Sequence, residues 1–204
     1  WYLTGAITFY ASDIKIKNSL FINNIAEDSL NIIESDFDID NVIFRNASSD
    51  FFDSDYSNGK ITNLLMDGSI GDGLDLSGSK VELVNSKYTN IRDKAISVGE
   101  ASFIKISNAE ISNVGTGIAI KDGSNSFASD VVIKNANYSG IAVYNKKPVY
   151  GSSNFTIENI DISNSEYEYI AQTNNYLNID NSQIQTQDVD VELLYETIMK
   201  KNIN

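Results

Sequence analysis

Apolar residues alternate along this chain in short bursts, and the bursts return at a fixed interval. Pairs spaced two apart (Ile14/Ile16, Phe37/Ile39, Val81/Leu83, Ile104/Ile106, Phe155/Ile157, Leu177/Ile179) follow the period of a strand, not of a helix. A single apolar column follows at Phe44, Met66, Tyr88, Ile111, Ile133, Ile162 and Ile184. A third set then comes at Leu30/Ile32, Leu74/Leu76, Ile96/Val98, Ile118/Ile120 and Ile141/Val143. Between the first two sets stands asparagine, at Asn18, Asn41, Asn63, Asn85, Asn108, Asn159 and Asn181, with Asp130 in the one vacant place. Successive gaps are 23, 22, 22, 23, 22, 29 and 22 residues, the spacing of a stacked repeat. Each repeat therefore supplies three short strands whose inward positions lie over the same positions of its neighbours.

The asparagines have a backbone task. Asn tolerates the left-handed conformation that a sharp bend requires, and few other non-Gly residues do. Stacked coils also bring successive Asn side chains to about 4.8 Å, where their amides hydrogen-bond into a ladder. A second bend column mixes Asn with Gly at Asn23, Asn46, Gly68, Asn90, Asn113, Asn135 and Asn164. That mixture marks a conformational requirement, not a ligand set.

These constraints predict an all-β fold: a parallel β-helix (solenoid) of about eight coils, three short strands each, with a period of ~22 residues and an Asn ladder. The pattern resembles the right-handed parallel β-helices of the pectate-lyase-like superfamily over essentially the whole chain. Right-handedness is what that resemblance and the general preference for right-handed parallel crossovers imply. The β-helix is expected over residues 1–187. Residues 188–204 are expected to form an amphipathic capping helix and tail, with Val191, Leu194, Tyr195 and Ile198 on one face and Asp188 or Asp190 at its start.

Composition narrows the chemistry by exclusion. The chain has no Cys and no His, which removes disulfides, thiolate sites, the commonest general base and the usual zinc ligand. A net charge of −13 argues against nucleic acid and anionic membrane as partners, and no apolar run has the length for direct membrane insertion. The chain opens on Trp1 without a basic, apolar signal segment, and is expected to be part of a larger protein.

Function on a solenoid sits on outward columns. Flanking the third strand set, one column runs Asn31, Asp53, Asp75, Ser97, Ala119, Ala142, and the column before it runs Asp28, Asp50, Asp72, Lys94, Thr116, Ser139. Asp50, Asp53, Asp72 and Asp75 crowd adjacent coils there, and hard oxygen ligands at such spacing suit calcium, the one cofactor expected. The site would rim a groove floored by Ser97, Ala119 and Ala142. The bland alternative is a set of solvated turn residues in an acidic protein.

Gly71-Asp72-Gly73-Leu74-Asp75-Leu76 resembles the Asp-Asp-Gly-Trp-Asp-Leu motif of the calcium-dependent pectate lyases of polysaccharide lyase family 9. The resemblance implies Asp50, Asp72 and Asp75 as calcium ligands. Gly71 stands where that family has a carboxylate, and the column that carries its lysine base continues here as Ser97, Ala119, Ala142. Lys94 and Lys121, in neighbouring columns, are the remaining candidate bases. The His and the Arg-Ile-Lys motif of family 28 polygalacturonases are missing. The segments 53–61, 71–80, 93–102, 117–124 and 144–151 are similar to a β-helix module of bacterial surface proteins, some of which carry a CotH-type kinase domain.

The 29-residue gap holds an insertion at 145–153 (NKKPVYGSS) with the chain's only proline. It follows directly after the strand whose outward columns carry the carboxylates, so Lys121, Lys146 and Lys147 are expected toward the far end of that face, opposite the Asp cluster, making the face acidic at one end and basic at the other. Tyr144, Lys146, Lys147, Tyr150 and Glu100 are the expected binding residues for a polysaccharide, with Tyr144 or Tyr150 stacking on a ring. The resulting expectation is a non-catalytic module at the cell surface or outside the cell, a rigid spacer or carbohydrate-binding face. The alternative is a calcium-dependent lyase or epimerase acting on an acidic (uronate) glycan.

Overall fold

The computed structural model describes residues 3–194. Its strands are β1 (Gly5–Tyr10), β2 (Ile14–Asn24), β3 (Asp28–Ile33), β4 (Asp36–Ala47), β5 (Asp50–Asp55), β6 (Asn58–Ser69) and β7 (Leu74–Ser77). The rest are β8 (Lys80–Gly99), β9 (Phe103–Lys121), β10 (Asn125–Tyr144), β11 (Asn154–Ser163), β12 (Tyr167–Ala171), β13 (Tyr176–Ile179) and β14 (Ser182–Gln183). Each named strand pairing is parallel except that of β13 with β14. A strand that always pairs one repeat ahead, in parallel, winds a solenoid of about eight coils.

The bends explain why β8, β9 and β10 run for 20, 19 and 20 residues, not as separate short strands. Each of the two bends inside these strands turns on a single left-handed residue; pairing resumes at once after the first, and after the second only beyond a register shift, between Ile91 and Lys94 and between Ala136 and Ser139. Asn85 and Asn90 both have φ of 56°, and Asp130 has 57°. In the first bend column Asn41 Nδ2 donates to Asn18 Oδ1 at 2.7 Å, Asn85 to Asn63 at 3.3 Å and Asn108 to Asn85 at 2.9 Å. Asn159 donates to Asp130 at 2.6 Å, so an acid serves as a rung. Where Gly68 interrupts the second column, Asn90 donates to the neighbouring Asp67 at 2.8 Å.

A third ladder lies inside. Ser35 N–H donates to Ser57 Oγ, Ser57 N–H to Ser79 Oγ and Ser79 N–H to Ser102 Oγ, each at 3.0 Å. These serines are buried, so each hydroxyl satisfies a backbone donor that no strand reaches. Between the faces the core is largely aliphatic, with Phe21 stacked on Phe44 at 4.5 Å near one end and Phe52, Tyr88 and Phe155 buried farther along.

The described part of the C-terminal segment holds a hairpin and the first turn of the expected helix. After β14 the chain turns back, Gln187 N–H donates to Ala171 at 2.8 Å, and Asp190 caps a single turn, α1 (Val191–Leu193), by accepting Leu193 N–H at 3.0 Å. Val189, Val191 and buried Leu194 pack against Ala119, Tyr138, Ala142, Tyr144 and Ile170. That is the outward flank of the third face. Ile184, beyond the antiparallel β13–β14 hairpin, packs against the main core instead. The remainder of the predicted helix, Tyr195 and Ile198 included, lies outside the described residues. Among the described residues no helix is long and apolar enough to cross a membrane.

Candidate functional site

The third face is built from β3, β5, β7 and the C-terminal parts of β8, β9 and β10. Register aligns Asn31 with Asp53, Asp53 with Asp75, Asp75 with Ser97, Ser97 with Ala119 and Ala119 with Ala142. The preceding column stacks by a different device. Asp50 Oδ1 accepts Asp72 N–H at 2.7 Å, and Asp72 Oδ1 accepts Lys94 N–H at 2.9 Å. Each carboxylate thus takes the backbone donor of the next coil. Gly71 makes this possible, because a Cβ there would lie 1.9 Å from Asp50 Oδ1. The place where the resembled lyase motif carries a carboxylate is filled here by the Asp50 side chain itself.

Both candidate lysines turn into the acidic cluster. Lys94 is buried, with its ammonium 3.0 Å from Asp72 and 2.6 Å from Asp93. Lys121 reaches back two coils, donating to Ser97 Oγ at 2.8 Å and lying 3.8 Å from Asp75 Oδ1. Its path crosses the bare backbone of Gly99, where a Cβ would stand 2.8 Å from Lys121 Cε. Asp50, Asp72 and Asp75 bring one carboxylate oxygen each within 4.8 Å of one another. Asp53 sits beside them, and Asn31 Nδ2 donates to Asp53 at 3.1 Å and to Asp55 at 3.4 Å.

Two lysines do not neutralise this many acids. Burial, then Asp55, Asp75, Asp28 and Asp50, push the Asp53 carboxyl up to about 9. Burial raises Asp50 to about 6 against the pull of its hydrogen bond from Asp72, and it raises Asp72 well above the usual range despite Lys94. Burial would also raise Asp75, but Lys121 and Lys94 outweigh it and hold this carboxyl below its ordinary value. Buried acceptors are left over: Asp28 Oδ2, Asn31 Oδ1 and Asp75 Oδ1 have no hydrogen-bond partner. An all-oxygen set with spare acceptors, whose carboxyls resist ionising without a further counter-charge, fits a hard divalent cation, and Asp50, Asp72 and Asp75 are the residues that would hold it. Asp28, Asn31 and Asp93 belong to this cluster too. The first two share the phase of Asp50 and Asp53 in the sequence, whereas nothing in the repeat marks Asp93.

The other predicted residues divide. Lys147 pairs with Glu100 two coils earlier, and Tyr150 Oη donates to the second Glu100 oxygen at 3.4 Å. The insertion, wound into a 3-10 turn at Pro148–Tyr150, therefore folds back toward the acidic end. Lys146 is exposed at its start. Tyr144 is different. It is fully buried with Ala119, Ala142, Ile170 and Leu194, and presents no ring to a ligand. The expected groove is closed by the same packing, since Ala119 and Ala142 lie under the C-terminal segment and Ser97 under Lys121. Nor is the face basic at its far end, because Lys121 and Lys147 fold back onto carboxylates.

Comparison with known proteins agrees with this architecture. The family described as "Right handed beta helix region" matches residues 29–149 and, overlapping, 94–202. The chain belongs to the right-handed β-helix family. No curated protein matches this β-helix. Among solved structures it is similar to HetL, a pentapeptide repeat protein involved in heterocyst differentiation regulation from the cyanobacterium Nostoc sp. strain PCC 7120. The two share 9% identity over 89% of this chain and 92% of that one, with a TM-score of 0.18, too low to carry an argument.

Proposed function

We propose that this β-helix is a non-catalytic module of an extracellular or cell-surface bacterial protein, a rigid rod whose third face binds carbohydrate. The observation that carries the reading is that the groups chemistry would need are engaged with one another. Lys94 is buried between two carboxylates, Lys121 is held by Ser97 and Asp75, and Lys147 by Glu100. An ammonium held in this way is a structural cation, not a free amine poised to take a proton. The placement at the cell surface follows the resemblance to β-helix modules of bacterial surface proteins. Affinity electrophoresis through gels containing a panel of polysaccharides tests it: retention without any change in the glycan is expected. Retention by none of them would reduce the rod to a spacer, and release of unsaturated products would overturn the non-catalytic reading.

A second reading rests on a specific arrangement, the meeting of Asp50, Asp72 and Asp75 with both lysines turned toward them. Calcium held by those three aspartates would neutralise a uronate carboxylate and acidify its α-proton. Lys121, or Lys94, is the group of this chain that would accept the proton in a lyase or epimerase reaction. Calorimetric titration with calcium, on the wild type and on Asp72→Asn/Asp75→Asn, separates the two readings. Saturable binding lost in the variant, together with calcium-dependent cleavage of a polyuronate, supports the enzyme; absence of binding at millimolar calcium removes it.

A further inference from the structure

Tyr56 occupies a place where folding alone gives no reason for an aromatic ring. It ends the third face in a bend column of left-handed residues, Glu34, Tyr56, Gly78, Glu100 and Asp122, and its own φ is 49°. Bulky residues are rare in that conformation, and the backbone cost is repaid elsewhere or serves a function. Its side chain is not buried in compensation, being 60% exposed. The ring lies against the bare backbone of Gly78 in the next coil, where a Cβ would come within 2.6 Å of Cδ1 and 2.7 Å of Cε1. One side of the ring is thus supported and the other faces solvent.

Tyr150 is placed likewise from the other direction. The insertion lays it across Gly123, where an added Cβ would be 2.3 Å from its carbonyl oxygen and 3.2 Å from its own Cβ. Its hydroxyl is tied to Glu100, and its ring is 39% exposed. Lys147 N–H holds the insertion down by donating to Asp122 Oδ1. It is the Tyr150 backbone that covers Gly123, while its hydroxyl reaches Glu100, one coil beyond Gly78 in the bend column, so the two rings belong to the same bend of neighbouring coils. Glu100 takes the Tyr150 hydroxyl on one oxygen and Lys147 on the other.

The charge around this pair selects among sugars. Asp55, Glu100 and Asp122 stand at or beside the bend column. Asp55 immediately precedes Tyr56, and its column continues through Ser77 to Gly99, the residue before Glu100. The cations within reach, Lys147 and Lys121, are already engaged by Glu100 and by Ser97 and Asp75. A uronate would bring one more carboxylate into this surplus. An amino sugar brings an ammonium, which the carboxylates attract and an aromatic face also favours.

We propose that Tyr56 and Tyr150 form a two-ring platform on the closing bend of the third face, and that it takes amino-sugar residues of a glycan whose ammonium groups meet Glu100 and Asp55. The proposal rests on the carbohydrate-binding reading above and names the class of sugar. Its test is calorimetric titration of the wild type, Tyr56→Gly and Tyr150→Ala with glucosamine oligosaccharides, N-acetylated and galacturonate oligomers of the same length, and oligolysine. Gly78 occupies the corresponding place one coil on, so Tyr56→Gly keeps the backbone conformation; thermal unfolding of both variants checks that they fold.

The glucosamine oligomer is expected to bind best, and each tyrosine variant to lose ~tenfold or more in affinity. Equal affinity for oligolysine, or binding unchanged in both variants, would mean attraction to an acidic surface alone and overturns the platform. Tighter binding of the galacturonate oligomer overturns the sugar class, although the carbohydrate-binding reading would stand. Chemical conversion of any oligomer would defeat the non-catalytic reading without touching the platform.

Discussion

An asparagine at a bend between stacked strands acts twice, once through its backbone and once through its amide. Asn85 adopts φ of 56°, donates to Asn63 and accepts from Asn108. Replacing it with Ala forces a Cβ-bearing residue with no compensating side chain into left-handed backbone and removes two rungs. We expect Asn85→Ala to cost about 2 kcal/mol and Asn85→Gly distinctly less, read from urea unfolding. The buried serines follow the same logic with a different group. Ser57→Ala would strand the Ser35 N–H inside the rod, at a cost of about 1–3 kcal/mol. Both ladders keep one period in the sequence. The asparagine ladder was legible because few residues share its backbone tolerance, whereas serine is common in turns and its phase at Ser35, Ser57, Ser79 and Ser102 carries no such signature.

The third face sets its own pH dependence. With its pKa raised to about 9, Asp53 binds a proton in the folded state over a range where the unfolded chain has released it. Stability contributed by that proton is fully present below the unfolded value of about 4 and is lost as pH rises through about 9. Asp50, at about 6, adds the same sign over a lower window, and Asp75, held low, opposes both only in acid. Melting temperature should therefore fall between pH 5 and pH 9, and Asp53→Asn should flatten that slope. A rise of stability over this range would show that the carboxylates are ionised and balanced by cations. Gly71→Ala belongs to this element as well. It would push Asp50 out of its hydrogen bond with Asp72, and an unfolding free energy lower by about 1–3 kcal/mol is expected from urea unfolding.

Over the whole rod, stability comes from contacts between neighbouring coils, so it need not be uniform along the axis. β8, β9 and β10 pair continuously around all three faces, while the first coil pairs on one side only, β1 with β3 and β2 with β4. Hydrogen exchange should be slowest in Lys80–Tyr144 and fastest in the insertion and the first coil. Equal protection along the chain would mean that the coils unfold as one unit. The return of the C-terminal segment over Ala119, Ala142 and Tyr144 also belongs to this scale. It converts one part of the third face into core and leaves the acidic end, with Tyr56 and Tyr150, as the accessible part.

The sequence by itself determined the repeat, its three apolar sets, the bends and the columns on which the acids stand. Those features are periodic, and a period of 22 residues leaves each side chain one kind of neighbour, the equivalent residue one coil away. What breaks the period was decided by tertiary structure alone. The long side chains of Lys121 and Lys147 cross two coils to find carboxylates, through gaps left by Gly99 and along a folded-back insertion. Tyr144 and the alanines beside it read as an open groove until Val189, Val191 and Leu194 lie over them. A stacking rule specifies which residues share a column; where a flexible side chain or a non-repeating tail comes to rest depends on charge and apolar area distributed over several coils at once.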